Sequence, residues 1–217
     1  MKHLILFDYD GVIVDSLDFT LKAISLTCER MGYDRVPTQE DIRSAENVSF
    51  DAIGTDLGIA SERLQTFQDL VREILTDQPF QVFPFPGMIE LLARMVKDHQ
   101  VVIVTSNFVS VVEESLQHYG LTSPLPRILG AELQMSKHEL VHRVMAHTKP
   151  DEYGAILVGD TVSDINAARQ SNVQSIAVTW GFHSEERLRG AGADFVVDTP
   201  DDLAIILKTF VGHEHDA

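Results

Sequence analysis

The chain has 217 residues, one cysteine, and 17 basic against 33 acidic side chains, a formal charge of −16. At roughly 100–200 residues per domain the length allows one domain, or one domain carrying an insertion, with a real hydrophobic core. So negative a field repels nucleic-acid phosphates and anionic lipid headgroups, and no Lys/Arg cluster interrupts it, so neither nucleic acid nor membrane is an expected partner. The lone Cys28 can form no internal disulfide, which points to a reducing compartment and a cytoplasmic location. The apolar run before Asp8 is too short for a secretion signal or a membrane span.

In chain order, Leu4 to Phe7 reads as a buried strand, and from Ser16 to Phe80 the pattern turns helical. Leu17, Leu21, Ile24, Cys28 and Met31 form one apolar stripe behind Ser16, a predicted N-cap. Thr38 to Asp41 resembles a capping box opening a shorter helix, and Leu64, Phe67, Val71 and Ile74 mark another. After the return linker at Pro84 to Gly87, short β-branched runs alternate with helical segments. The runs are Val101 to Val104, Ala155 to Val158, Ser175 to Val178 and Phe195 to Val197. The helices are expected over 87–97, 109–119, 137–147, 163–170, 185–189 and 201–207. The fold class is therefore α/β, a doubly wound parallel sheet with a Rossmann-like core (1–15 and 81–217) and an inserted all-helical cap domain (16–80).

Open parallel sheets bind ligands at the carboxyl ends of their strands. Those ends read Asp8-Tyr9-Asp10-Gly11, Thr105-Ser106-Asn107 and Gly159-Asp160-Thr161-Val162-Ser163-Asp164. Two carboxylates at ~4 Å repel by roughly 4 kcal/mol at an effective dielectric near 20, so four converging on one edge call for a cation. An all-oxygen, acid-rich site suits a hard ion, expected to be Mg²⁺. Taken alone, Asp160 and Asp164 equally suit the start of a helix, and Thr105-Ser106 could cap the next one. The histidines show no ligand spacing on a common face, and His213 to Asp216 reads as a frayed tail.

With these motifs in order, the chain resembles the haloacid dehalogenase-like hydrolase superfamily, in particular its phosphoglycolate phosphatase-like branch with a helical cap. The first motif, D-x-D-G-x, matches Asp8 to Val12; the second, an apolar strand ending in Thr or Ser, matches Val101 to Thr105. The third, an isolated lysine, is best matched by Lys137, with Lys149 a rival; the fourth, G-D-x-x-x-D, matches Gly159 to Asp164.

The resemblance implies a phosphatase acting on a small phosphorylated metabolite. Asp8 is then the nucleophile, giving an aspartyl-phosphate that water hydrolyses. Asp10 is the acid and base, and Lys137 neutralises the phosphoryl group and Asp8. Thr105, Ser106 and Asn107 bind the phosphoryl oxygens. The metal ligands are Asp8, Asp10 through its carbonyl, and Asp160, with Asp164 behind them on the metal's water or on Lys137. A monomer or a homodimer is expected.

Asp10 argues against a haloacid dehalogenase, and the shortage of cap lysines against a phosphonoacetaldehyde hydrolase. A sugar phosphomutase shares every core motif, and a non-catalytic phosphate-binding regulatory module is the alternative of another class. Relatives carry a glycine in the segment matched by Ile42 to Asn47, which here has none, so phosphoglycolate itself is open as the substrate. Arg43 in that segment could meet a substrate carboxylate or stand as a solvated helix charge.

Overall fold

The computed structural model describes residues 3–77, 82–121, 124–148 and 154–212. The tail from His213, the rival Lys149, and Phe80 and Gln81 at the expected domain boundary lie outside them. Among the described residues eight strands are formed: β1 (Leu4–Phe7), β2 (Val14–Asp15), β3 (Phe83–Pro84), β4 (Gln100–Val104), β5 (Arg127–Leu129), β6 (Ala155–Gly159), β7 (Gln174–Val178) and β8 (Phe195–Val197). Six make a parallel sheet in the order β5-β4-β1-β6-β7-β8, with Phe7 level with Ile103 on one side and Val158 on the other.

The central strands are apolar on both faces because both are covered. Ile5, Phe7, Ile103, Ile156 and Val158 join one core, while Leu4, Leu6, Val102, Val104 and Leu157 join the other. Each such side chain, fully buried, contributes roughly 1.5–3 kcal/mol.

Between β2 and β3 runs an all-helical insertion of α1 (Leu17–Met31), α2 (Gln39–Ser44), α3 (Phe50–Asp56) and α4 (Leu64–Asp77). The stripe Ala23, Ile24, Cys28 and Met31 of α1 is buried, as are Phe67, Val71 and Ile74 of α4, and the two helices pack together. Ser16 does not cap α1. Its φ of −111° and ψ of −3° are already helical, so the side chain cannot turn back onto the first N–H groups, and no such bond forms. Thr38 and Asp41 do form the expected capping box on α2. The helix α3 is unheralded; Ser49 caps it by accepting from Ala52 N–H, and it buries Phe50 and Ile53.

The remaining helices cover the sheet. Buried apolar residues of α5 (Met88–Asp98), α6 (Val109–His118) and α10 (Pro200–Gly212) join the first core, and those of α7 (Lys137–Thr148) with Ala167 and Ala168 of α8 (Val162–Gln170) join the second. Leu188 of α9 (Glu185–Gly190) packs on Ile165 and Ala177. None of the described helices is long and apolar enough to cross a membrane.

Two pairings had no signal in the sequence pattern. The edge strand β5 offers only Ile128 and Leu129 as apolar residues, too short a run to read, and it forms because β4 presents a free edge. The antiparallel ribbon β2–β3 pairs Val14 with Pro84 and Asp15 with Phe83, tying the two ends of the insertion together. From β1 the chain reaches β4 on one side and β6 on the other, so their carboxyl ends frame a topological switch point.

Candidate active site

Asp8 follows β1 directly. Its Oδ1 accepts the Tyr9 N–H at 2.7 Å and its Oδ2 lies 2.6 Å from Lys137 Nζ. Lys137 opens α7, where Ser136 and Glu139 cap each other: Ser136 Oγ accepts from Glu139 N–H, and Glu139 Oε2 accepts from Ser136 N–H at 2.7 Å. That box, legible as Ser-x-x-Glu, orients the start of the helix toward the strand ends. The same Lys137 Nζ is 2.8 Å from Asp164 Oδ1, and the lysine side chain is only 7% exposed.

Asp164 serves two geometries at once. Its Oδ2 accepts the Thr161 N–H at 2.9 Å and the Thr161 hydroxyl at 2.5 Å, the capping box of α8, while Oδ1 meets Lys137. The helix-start reading of this residue and its place beside the lysine thus hold together.

Asp160 is fully buried. Its Oδ2 accepts the Phe182 N–H at 2.7 Å, and its Oδ1 has no protein partner among the described residues. Two glycines make room for it: a Cβ on Gly11 (φ +74°) would come within 2.0 Å of Asp160 Oδ2, and one on Gly181 within 2.2 Å. One oxygen from each of Asp8, Asp160 and Asp164 fits within 4.8 Å of the others.

Three carboxylates face one ammonium here, so the cluster has more acidic than basic groups. Burial raises the Asp8 carboxyl from its ordinary value to about 7, although Lys137 pulls it down. Burial, with Asp164 and Asp8 nearby, raises Asp160 well above the usual carboxylate range. Burial alone would lower Lys137, but Asp164 and Asp8 outweigh it and hold the lysine above its ordinary value. The donor set fits a hard cation: all ligand atoms are oxygens, acidic groups outnumber basic ones, and Asp160 keeps one buried oxygen unbonded.

Asp10 Oδ2 accepts from Asn107 Nδ2 at 3.0 Å, and burial raises its carboxyl while Ser16 and Asn107 oppose the shift. Thr105 Oγ1 accepts the Asn107 N–H at 2.9 Å, and Asn107 Oδ1 accepts the Phe108 N–H at 2.8 Å. Thr105 and Ser106 do not cap α6: the Val109 N–H is taken by the Glu132 carboxylate at 3.0 Å, so the strand-end hydroxyls are not used on the helix.

Asp8, Asp10, Thr105, Ser106, Asn107, Lys137 and Asp160 all line one small chamber of about 30 Å³. Its other wall is Thr20, Asn47, Val48 and Phe50 of the insertion. A cleft of about 790 Å³ shares Asn47, Phe50, Thr105, Ser106 and Lys137 with it. The insertion is held down on two sides. Phe50 stacks on Phe108 with centroids 5.7 Å apart, and Arg72 lies 3.5 Å from Glu132. Opposite, Arg187 of α9 donates to the carbonyls of Arg43 at 2.5 Å and Ala45 at 3.1 Å.

Arg43 does not line the chamber; it is an exposed helix charge, as one of its two readings had it, and its guanidinium also donates to the Phe182 carbonyl at 3.2 Å. Sequence reasoning also missed Arg187 and the Phe182 N–H. A backbone donor leaves no mark in residue type, and a surface arginine reads as solvent charge until its partners are known. His138 and His142 do share a face of α7, with ring centroids 6.2 Å apart, but no third ligand joins them among the described residues.

Residues 5–178 match the family described as haloacid dehalogenase-like hydrolase. The chain is 29% identical over 200 residues to the phosphoglycolate phosphatase of Synechococcus elongatus, covering 92% of this chain and 94% of that protein. It is 30% identical over 213 residues to "Probable phosphatase IndB" of Dickeya dadantii, covering 92% and 90%. A crystal structure from Clostridium acetobutylicum, 22% identical, has the same fold at a TM-score of 0.84, covering 96% of this chain and 99% of that one. With most of its length matched and an acidic, lysine-bridged cluster at the switch point, the chain belongs to the haloacid dehalogenase-like hydrolases, as an enzyme of their phosphatase branch.

Proposed function

We propose that the protein is a cytoplasmic, Mg²⁺-dependent phosphatase that hydrolyses a small phosphorylated metabolite through a phosphoryl group carried on Asp8. The observation that carries this reading is Lys137 Nζ, held between Asp8 and Asp164 at 2.6 and 2.8 Å beside the unbonded oxygen of Asp160.

Asp8 Oδ1 or Oδ2 attacks phosphorus, and the bond to the leaving oxygen breaks as the new one forms. Asp10 gives its proton to the departing alkoxide, then takes one from the water that cleaves the aspartyl-phosphate. Its raised carboxyl suits it to carry that proton, and Asn107 keeps it in place. Lys137 offsets charge on both Asp8 and the phosphoryl oxygens, which would otherwise repel. Thr105 and Ser106 offer hydroxyls to those oxygens. Asp8, Asp160 and the Asp10 carbonyl would hold Mg²⁺, which when bound supplies positive charge to the transferring group. Residues 16–80 act as a cap over a core of 1–15 and 81–217, moving on the β2–β3 ribbon to admit substrate and expel water.

A panel of phosphomonoesters assayed with and without Mg²⁺ tests the reading, with two variants separating the acids. Asp160→Ala should raise the Mg²⁺ needed for half-maximal rate, whereas Asp10→Asn should lower the maximal rate with little change in that requirement. Metal-independent turnover, or equal Mg²⁺ titrations for Asp160→Ala and wild type, would overturn it.

A further inference from the structure

The cleft of about 790 Å³ is roomy enough for a sugar- or nucleoside-sized group, well beyond two carbons. Apart from Lys137 and His138 its walls are acidic or neutral. Among the described residues that line the chamber or the cleft, Lys137 is the only lysine or arginine, and it is committed to Asp8 and Asp164. The arginines at the contacts between insertion and core are engaged elsewhere: Arg43 on the Phe182 carbonyl, Arg187 on the Arg43 and Ala45 carbonyls, Arg72 beside Glu132. Glu46 and Asp51 stand on the cleft wall instead.

A substrate whose leaving group carries a carboxylate or a second phosphate would therefore bring that charge into a negative field with no uncommitted lysine or arginine among the described lining residues to receive it. Desolvating it there is unfavourable.

Asn47 lies where chamber and cleft meet. Its Oδ1 accepts the Ser49 N–H at 3.0 Å, which fixes the carboxamide, and its Nδ2 makes no hydrogen bond to the described residues. Val48 and Phe50, which follow it in the chain, supply apolar surface. This is a fixed N–H donor beside a hydrophobic wall, a combination that recognises a hydroxyl or carbonyl oxygen on an uncharged group.

We propose that the leaving group is a neutral, hydroxyl-bearing alcohol and that Asn47 selects it. The inference rests on the phosphatase reading above and narrows its substrate class, against anionic leaving groups such as glycolate or phosphate.

The test compares two near-isosteric substrates, 2-hydroxyethyl phosphate and phosphoglycolate, with pyrophosphate, and p-nitrophenyl phosphate as the reference. Assays run with Mg²⁺ at pH 8. At that pH the glycolate leaving oxygen sits beside an ionised carboxylate and is intrinsically no better a leaving group than 2-hydroxyethoxide, so the contribution of the protein is read from the change in the ratio between wild type and Asn47→Lys, for which the two esters are the same. The expected kcat/KM ratio favours 2-hydroxyethyl phosphate by about tenfold or more, and pyrophosphate is poorer still. Asn47→Lys should shift the ratio toward phosphoglycolate by about tenfold, and Glu46→Gln with Asp51→Asn should shift it the same way by a smaller factor.

Turnover of p-nitrophenyl phosphate with phosphoglycolate equal to or better than 2-hydroxyethyl phosphate overturns this inference and leaves the phosphatase reading standing. An unchanged ratio in a folded Asn47→Lys protein removes Asn47 as the selecting residue. No turnover of any of the four overturns the phosphatase reading, and this inference with it.

Discussion

Arg43 and Phe182 are joined by one hydrogen bond, from the guanidinium of the insertion to a core carbonyl, and the same Phe182 gives its N–H to Asp160. A single peptide segment thus touches both the helical insertion and the acidic cluster. Arg187 completes the fastening from the core side.

Removing that fastening should loosen the insertion. Arg187→Ala deletes two hydrogen bonds, each a net contribution of about 1 kcal/mol, while leaving the sheet untouched. Amide exchange over residues 39–49 should speed up, the sheet strands should keep wild-type protection, and KM should rise. Unaltered exchange over that segment would show that the arginine does not hold it.

Asp8→Asn should lower turnover by at least about a thousandfold, because the amide keeps the shape but is a poor nucleophile. The same variant bears on stability. A folded carboxyl raised from 3.8 to about 7 binds its proton more tightly than the unfolded chain does. Its contribution is therefore present below about pH 4 and lost as pH climbs toward 7. Melting temperatures of metal-free wild type should fall across that window, and those of Asp8→Asn should fall less. Parallel curves for the two proteins would contradict the assignment.

Lys137→Met leaves three buried carboxylates without a cation. The metal-free protein should lose about 3–5 kcal/mol at pH 8, read by urea denaturation. The loss should shrink at pH 5, where Asp8, raised to about 7, takes up its proton. Turnover should drop by about a hundredfold or more. A loss equally large at both values would point to packing rather than charge.

Gly181→Ala tests the close approach around Asp160. A Cβ at 2.2 Å from Asp160 Oδ2 forces the carboxylate or its loop aside, so Mg²⁺ affinity should fall roughly 10–100-fold by calorimetric titration. Gly190→Ala, where a Cβ meets nothing within 4 Å, is the control and should bind as wild type does.

Five of the strands and most of the helices were legible because their signals are local. An apolar run such as Ala155 to Val158 is buried whatever its neighbours, and the stripe of α1 or the Thr38–Asp41 box is complete within a few residues. The strand-end acids were legible for the same reason, since Asp8 and Asp160 follow runs whose direction and burial leave only one end open to a ligand. What the tertiary structure alone decided depends on partners far apart in the chain. Glu132, not Thr105, takes the first N–H of α6; β5 exists because β4 has an edge to offer; and Ser16 sits in a helical conformation that forbids its cap. The Phe182 N–H on Asp160 and the Arg187 hold on the insertion have no residue pattern at all, because backbone donors and acceptors are the same in every residue and only the fold brings them within reach.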